Sequence, residues 1–354
     1  MRVLVTGGAG YVGSHTVRLL LEAGHEVTVY DNLVYGHRAA VPCPLVVGDL
    51  ADRARLDQVF AAGRFDAVLH FAAYAYVGES VADPAKYFRN NLGGGLALLD
   101  AMLAHGVERL VFSSTCATYG EPTRLPITEE EPQRPTSPYG ETKLAFERAL
   151  YWYAQAYGLR SVSLRYFNAA GAALDGTLGE DHEPETHLIP RVLRVALGQE
   201  PYVEVYGTDY PTPDGTCLRD YVHVLDLAAA HLLALERLDR PGLCLAYNLG
   251  AGRGYSVQEV IATCRRVTGR PIPTVAAPRR PGDPPALYAD NTRARRELGW
   301  TPAYSELETI VATAWAWHRA HPHGFREQEA PQVRSGEAQP GEETAWEPTG
   351  PTPT

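Results

Sequence analysis

Lysine is nearly absent from this 354-residue chain: of 32 basic residues, only Lys86 and Lys143 are lysines. Ordinary surface charge is therefore written as arginine. A lysine kept against that habit points to a task that a planar guanidinium does badly. Long apolar runs are missing too. None approaches the roughly 18 residues of a membrane span, which argues against a membrane protein. There is no basic run, and the formal net charge is −10, which argues against a nucleic-acid partner. The five cysteines (Cys43, Cys116, Cys217, Cys244 and Cys264) are scattered and form no C-x-x-C, so neither a disulfide frame nor a cysteine zinc site is expected. No signal-peptide pattern precedes the first apolar segment, and the expected location is the cytoplasm. The 45% hydrophobic and 21% charged residues fit a soluble globular enzyme, long enough for two domains.

Lys143 stands four residues after Tyr139. On a helix such residues share a face. A nearby ammonium stabilises phenolate and draws a tyrosine pKa down from about 10, giving a candidate general acid or base. By itself the spacing also suits a plain surface pair.

The chain opens Met-Arg-Val-Leu-Val-Thr-Gly-Gly-Ala-Gly-Tyr-Val-Gly. Arg2 to Thr6 reads as a buried strand, and Gly7, Gly10 and Gly13 follow at three-residue spacing. Val12, Thr16, Leu19 and Ala23 predict one face of a helix that Gly24 stops. Strand, glycine turn and helix form the context of a dinucleotide site: the turn lets backbone approach a pyrophosphate, and the helix offers free N–H groups to it. Glu26 to Tyr30 predicts the second strand, ending on Asp31. An acidic residue there can hold ribose hydroxyls and repel a 2′-phosphate, which favours NAD over NADP; Asp31 as a turn residue before Asn32 is the plainer alternative. Asp49 follows the next strand and either meets the adenine or caps a helix beginning near Ala51.

Candidate strands lie at 2–6, 26–30, 45–48, 67–71, 109–114 and 161–166, with helices between them, including 92–105 and 138–156. This rhythm predicts an α/β fold of the Rossmann type, a doubly wound parallel sheet. Ligands in such sheets bind beyond the carboxyl ends of the strands. Gly7 to Gly13, Asp31, Asp49, Phe71 to Ala73, Ser113 to Thr115 and Tyr166 to Asn168 all fall there. The expected organisation is a cofactor domain over 1–169, with a returning segment near 216–247, and a smaller substrate cap over 170–325. The tail 326–354 is rich in Pro, Glu, Gly and Thr and reads as disordered.

These motifs resemble the extended branch of the short-chain dehydrogenase/reductase superfamily, and within it the UDP-glucose 4-epimerases. The likeness runs from Arg2 to about Pro322. It is carried by Thr6 to Gly13, Asp31-Asn32-Leu33, His70 to Ala73 with Val77-Gly-Glu-Ser80, Asn90-Asn91, Phe112 to Thr115 and Ser137 to Lys143. Leu164 to Asn168, Tyr206 to Gly215, Arg219 to His223 and Pro278 to Asp283 complete it. The resemblance implies C4 epimerisation of UDP-galactose and UDP-glucose, with NAD recycled in place. Tyr139, Lys143 and Thr115 are its implied catalytic residues. Implied cofactor contacts are Gly7, Gly10, Tyr11, Val12, Gly13, Asp31, Asn32, Asp49, Leu50, Phe71, Ala72, Ala73, Asn90, Ser113 and Tyr166, beside Tyr139 and Lys143. Implied substrate contacts, besides Thr115 and Tyr139, are Asn168, His187, Leu188, Tyr206, Arg219, Arg280, Asp283 and Leu287. Arg219 and Arg280 suit the diphosphate, and Asp283 the nucleoside ribose. A homodimer through the 92–105 and 138–156 helices is also implied.

Two positions depart from the pattern. Ala75 stands where many relatives carry lysine, and Tyr74 or Tyr76 could replace its hydrogen bond. Leu287 occupies the pocket-wall position whose size goes with acceptance of N-acetylated sugars, so epimerases of N-acetylhexosamine, pentose or glucuronate UDP sugars stay open. A dehydratase needs an acid and a base after Thr115, where Cys116 and Ala117 stand. A non-catalytic NAD(H)-sensing protein is the rival of another class; such proteins can lose the Tyr–Lys pair. No metal is expected: in Asp181-His-Glu-Pro-Glu-Thr-His187 the histidines are five apart and Pro184 interrupts any helix. His318, His321 and His323 read as residues at a helix end.

Overall fold

The computed structural model describes residues 1–280 and 283–326. Seven strands form one parallel sheet: β1 (Arg2–Thr6), β2 (Glu26–Asp31), β3 (Leu45–Val47), β4 (Ala67–His70), β5 (Arg109–Thr115), β6 (Arg160–Tyr166) and β7 (Cys244–Leu249). Their order is β7-β6-β5-β4-β1-β2-β3. The chain winds outward from β1 through β2 and β3, then crosses back to place β4 on the other side. The connections therefore part between β1 and β4, where a Rossmann-type sheet opens a crevice. The reading of the expected tail lies outside the described residues apart from Arg326.

A parallel sheet is covered on both faces, so its strands must be apolar on both. Alternation sorts them. Val3, Val5, Val27, Val29 and Leu69 face one layer, with Val17 and Leu20 of helix α1 (Tyr11–Glu22). Leu4, Tyr30, Val68, Leu110 and Phe112 face the other. That second layer holds α2 (Arg53–Gly63), α3 (Gly95–Ala104) and α4 (Pro138–Tyr157). On the first face α1 packs against the later helix Val224–Glu236 as well as the sheet. This double contact turns α1 from the expected stripe: Gly13, Thr16, Val17 and Leu20 are buried, while Val12 is only partly so.

Two boundaries also differ from expectation. The helix after β3 is capped by Asp52, which accepts from the Arg55 N–H, and not by Asp49. The segment expected as helix 92–105 starts with a π-helical turn, Phe88–Gly94. The wide turn serves Asn91, whose amide donates to the Tyr74 carbonyl and to Thr142 Oγ1 while accepting from the Tyr74 N–H. Side-chain bonds of this kind stabilise a wide turn where a regular helix would misplace the residue.

Beyond residue 170, helices Leu188–Ala196, Val257–Thr268 and Leu307–Ala320 bury Ile189, Val192, Val260, Ile261, Ile310 and Val311 together. Short strands lace this part: Leu218–Arg219 lies between Tyr255–Ser256 and Ala286–Leu287. Arg219 is thereby registered beside Leu287.

One buried ion pair ties the layers. Arg165 on β6 and Glu147 on α4 are each 8% exposed in their side chains. Arg165 Nε lies 3.0 Å from Glu147 Oε1, and its Nη1 donates to the Tyr119 hydroxyl at 2.9 Å. Tyr119 donates onward to Asn248 on β7 at 2.7 Å. Removing one partner leaves a buried charge uncompensated. Glu147→Leu is expected to cost about 3–5 kcal/mol of stability, read by denaturant unfolding; a loss below about 1 kcal/mol would place Arg165 in contact with water.

Candidate active site

Helix α4 begins where Ser137 accepts from the Gly140 N–H at 3.2 Å and Pro138 fills the first turn. Ser and Pro are favoured at these positions because the first-turn N–H groups lack helical partners. The cap fixes the helix phase, so Tyr139 emerges in the first turn and Lys143 one turn later on the same side. Lys143 is buried and its Nζ donates to the Ser113 carbonyl at 2.7 Å. The ammonium sits 4.8 Å from the Phe112 ring centre and 5.9 Å from that of Tyr139.

Tyr139 faces a cavity of about 1200 Å³ over the carboxyl ends of the strands. Each residue implied to serve catalysis, cofactor or substrate lines it, from Gly7 and Asp31 at one end to Arg219, Arg280 and Leu287 at the other, with the exception of Lys143, which lies beneath. Thr115 stands beside Tyr139 on this wall and pulls its pKa down as a hydrogen-bonding neighbour. Its Oγ1 already accepts from the Ala117 N–H at 3.1 Å, which leaves its hydroxyl proton for the phenol. Ser113 Oγ and the Tyr166 hydroxyl are 2.5 Å apart on the same wall.

The electrostatics differ from the sequence expectation. Burial raises the Tyr139 phenol well above its usual value; the neighbouring Tyr166 adds to the rise, and the Thr115 hydrogen bond opposes it. Burial lowers Lys143 to about 7, against the upward pull of Glu147. Desolvation disfavours the charged form of each. In the folded chain burial is the largest influence on each, so Lys143 alone does not pull Tyr139 toward neutrality.

The glycine turn is sterically committed. Gly7 has φ +73°, and a Cβ there would lie 2.4 Å from the Ala72 nitrogen; one on Gly13 would lie 2.3 Å from the Gly7 carbonyl oxygen. The first turn of α1 therefore opens on the cavity through bare backbone. Asp31 is buried and accepts from the Ala9 and Leu33 N–H groups at 3.0 and 2.8 Å, so it braces the turn as well as facing the cavity. Burial raises its pKa against those two bonds. Asp49 accepts from Ala51 N–H and from the Asn32 amide. The same cradle that excludes side chains fits a dinucleotide diphosphate.

At the far end Asp283 accepts from Arg219 Nη2 at 2.5 Å and from Arg280 at 2.9 and 3.1 Å. The three residues expected to receive a nucleoside diphosphate thus hold one another. Asp220, next to Arg219, takes three backbone N–H groups, from Ala251, Gly252 and Ala289, and is a local brace. Cys116 lines the cavity with its thiol pushed up to about 12 by burial, as an inert packed residue.

Sequence reasoning missed one feature and set another aside. Lys86 lies 4.4 Å from the Tyr74 ring centre and pairs with Glu79 at 2.6 Å, beside the exposed Ala75; its scarcity was the available signal. The second is the loop before Leu188. Without any helix it brings His182 and His187 to 5.2 Å between ring centres, against Glu180 and Glu185. Burial alone would lower both histidines, yet the carboxylates raise His182 to about 9 and His187 to about 10.

Residues 3–250 match the model of the "NAD dependent epimerase/dehydratase family". A UDP-glucose 4-epimerase of Halalkalibacterium halodurans is 56% identical over 92% of this chain and 98% of its own length. Among solved structures, the UDP-glucose 4-epimerase of Brucella ovis in complex with NAD is 56% identical with a TM-score of 0.86, covering 88% of this chain and 97% of that one. The Bifidobacterium longum UDP-glucose 4-epimerase with NAD+ and UDP is 43% identical with a TM-score of 0.87, covering 91% of this chain and 99% of that one. With this agreement on top of the glycine cradle and the Tyr139–Thr115 wall, the chain belongs to the NAD-dependent epimerase/dehydratase family, among the UDP-glucose 4-epimerases.

Proposed function

We propose that this chain interconverts UDP-galactose and UDP-glucose by reversible epimerisation at C4 through a 4-keto sugar, with NAD kept bound throughout. The observation that carries this reading is the meeting of Tyr139 and Thr115 on the wall of the cavity that the glycine turn also lines. Bound NAD supplies the acceptor, and then the donor, of the hydride at the sugar C4.

The chain's own residues do the rest. The turn Gly7 to Gly13, with Tyr11 and Val12, presents first-turn amides to the cofactor diphosphate. Asp31 and Asn32 are assigned the adenosine ribose, and Asp49 and Leu50 the adenine. Phe71, Ala72, Ala73, Asn90, Ser113 and Tyr166 are assigned the remaining cofactor wall. Tyr139 moves the proton of the sugar 4-hydroxyl, and Thr115 donates to that same oxygen. Lys143 anchors the cofactor ribose and brings positive charge under the phenol. Arg219 and Arg280 take the substrate diphosphate and Asp283 the nucleoside ribose, which redistributes the ion pairs they now share. His187 and Leu188 serve the uracil, Asn168 and Tyr206 the phosphate or sugar, and Leu287 limits the sugar's size.

The cofactor part is assigned to 1–169 with 216–247, and the substrate part to 170–325. The exposed Tyr151, Trp152 and Tyr157 on α4 support a homodimer through α3 and α4. A cytoplasmic location is part of the proposal; among the described residues no helix is long and apolar enough to cross a membrane.

Two measurements check the reading. Purified protein given UDP-galactose and no added NAD is expected to yield UDP-glucose, and the reverse, by chromatography; a chain that holds NAD yet converts neither is a binding protein instead. Tyr139→Phe keeps the ring and removes the proton carrier. Its kcat is expected to fall by about 10²-fold or more with NAD still co-purifying; most of the activity surviving would move the proton to another group.

A further inference from the structure

The cluster on the loop before Leu188 takes no part in the proton and hydride steps above, although its His187 also faces the cavity at the proposed uracil end. Glu180 and Glu185 are buried, at 4% and 9% exposure, and face the two rings of His182 and His187. Glu180 Oε1 lies 3.1 Å from His182 Nδ1 and 2.9 Å from His187 Nδ1. Glu185 Oε2 lies 3.8 Å from His182 Nδ1, and its Oε1 lies 3.0 Å from His187 Nδ1. Each ring nitrogen thus faces both carboxylates. One N–H is directed at one acceptor, whereas a cation is shared by every lone pair around it. One ligand atom from each of the four residues falls within 4.8 Å of the others. A tetrahedron with arms of about 2.1 Å, the usual zinc–nitrogen and zinc–oxygen length, has edges of about 3.4 Å. Both Glu180 Oε1 distances fall short of that edge and the Glu185 Oε2–His182 distance exceeds it, so shifts of about half an ångström or less would close these groups on one ion.

A second observation points to the same place. The hydroxyl of Tyr76 is buried and has no hydrogen-bond partner. Its ring stands edge-on to His182 with centres 6.2 Å apart, and its phenol lies within the field of Glu185 and Glu180. A buried hydroxyl without a partner is costly, so it marks a place for a further polar group.

We propose that Glu180, His182, Glu185 and His187 form a binding site for one divalent transition-metal ion of the zinc type, with a structural role. Imidazole nitrogen and carboxylate oxygen in a four-coordinate arrangement suit zinc, and two carboxylates with two neutral rings balance its charge. The ion ties the loop into the cavity wall just ahead of Leu188 and the helix it opens. The competing state balances the same charge with two protonated histidines, so metal and protons compete for the ring nitrogens.

The test uses the full chain with its bound NAD, stripped with a chelator and dialysed free of it. Zinc ion alone is titrated in competition with a chromophoric chelator, and the thermal midpoint is followed with and without zinc. One tightly bound zinc per chain and a raised midpoint are expected. Cobalt(II) in its place is expected to give the intense visible bands of a four-coordinate ion. His182→Ala and Glu185→Gln are each expected to weaken zinc binding by at least about 100-fold, the upper end of what losing an outer-shell partner costs. Should a variant not fold, the wild-type stoichiometry, midpoint and cobalt spectrum decide alone. No stoichiometric uptake by the wild type, or equal zinc affinity in folded variants, overturns the site and leaves two imidazolium–carboxylate pairs.

Discussion

A lysine with almost no water around it sets the terms for the rest of this molecule. Lys143 is 4% exposed and its ammonium is held by a main-chain carbonyl at the end of β5. Keeping it there requires the Ser137 cap, which sets the phase of α4, and the Glu147–Arg165 pair, which locks that helix to β5 and β6. Lys143 sits below the cavity floor and Tyr139 stands in its wall, so the helix that buries the one also presents the other. Burial pushes both toward their neutral forms. Positive charge added nearby works against that push and favours phenolate.

The opposite end of the cavity works by exchange. Arg219, Asp283 and Arg280 satisfy one another, which keeps a partly buried arginine from being left unpaired. A diphosphate offers both arginines a better match than one shared carboxylate. Binding then replaces existing pairs, and its net gain is smaller than a sum of new contacts.

What the sequence made legible was whatever the backbone demands locally. Gly7 and Gly13 are glycines because a Cβ would strike Ala72 or Gly7 itself, and that demand shows as a spacing. Short apolar runs between helices marked six of the seven sheet strands to within a residue or so and missed Cys244–Leu249, and the helical i, i+4 rule placed Tyr139 and Lys143 on one side. The positions that needed a family resemblance, such as Arg280, Asp283 and Leu287, lie on loops and two-residue strands without periodicity of their own. Least legible were quantities that exist only after folding. The desolvation that reverses the expected Tyr139–Lys143 effect has no trace in spacing. Nor does the loop that joins His182 to His187, since helical periodicity was the wrong template for it.

A phenol that handles only the hydroxyl proton implies that the hydrogen on the sugar carbon never becomes a solvent proton. Running the reaction with UDP-galactose in heavy water, and reading C4 of the UDP-glucose formed by NMR, tests this most directly. The predicted result is full retention of protium at C4 at complete equilibrium. Deuterium appearing at C4 would mean that the carbon-bound hydrogen leaves as a proton, and Tyr139 would then be serving a different reaction.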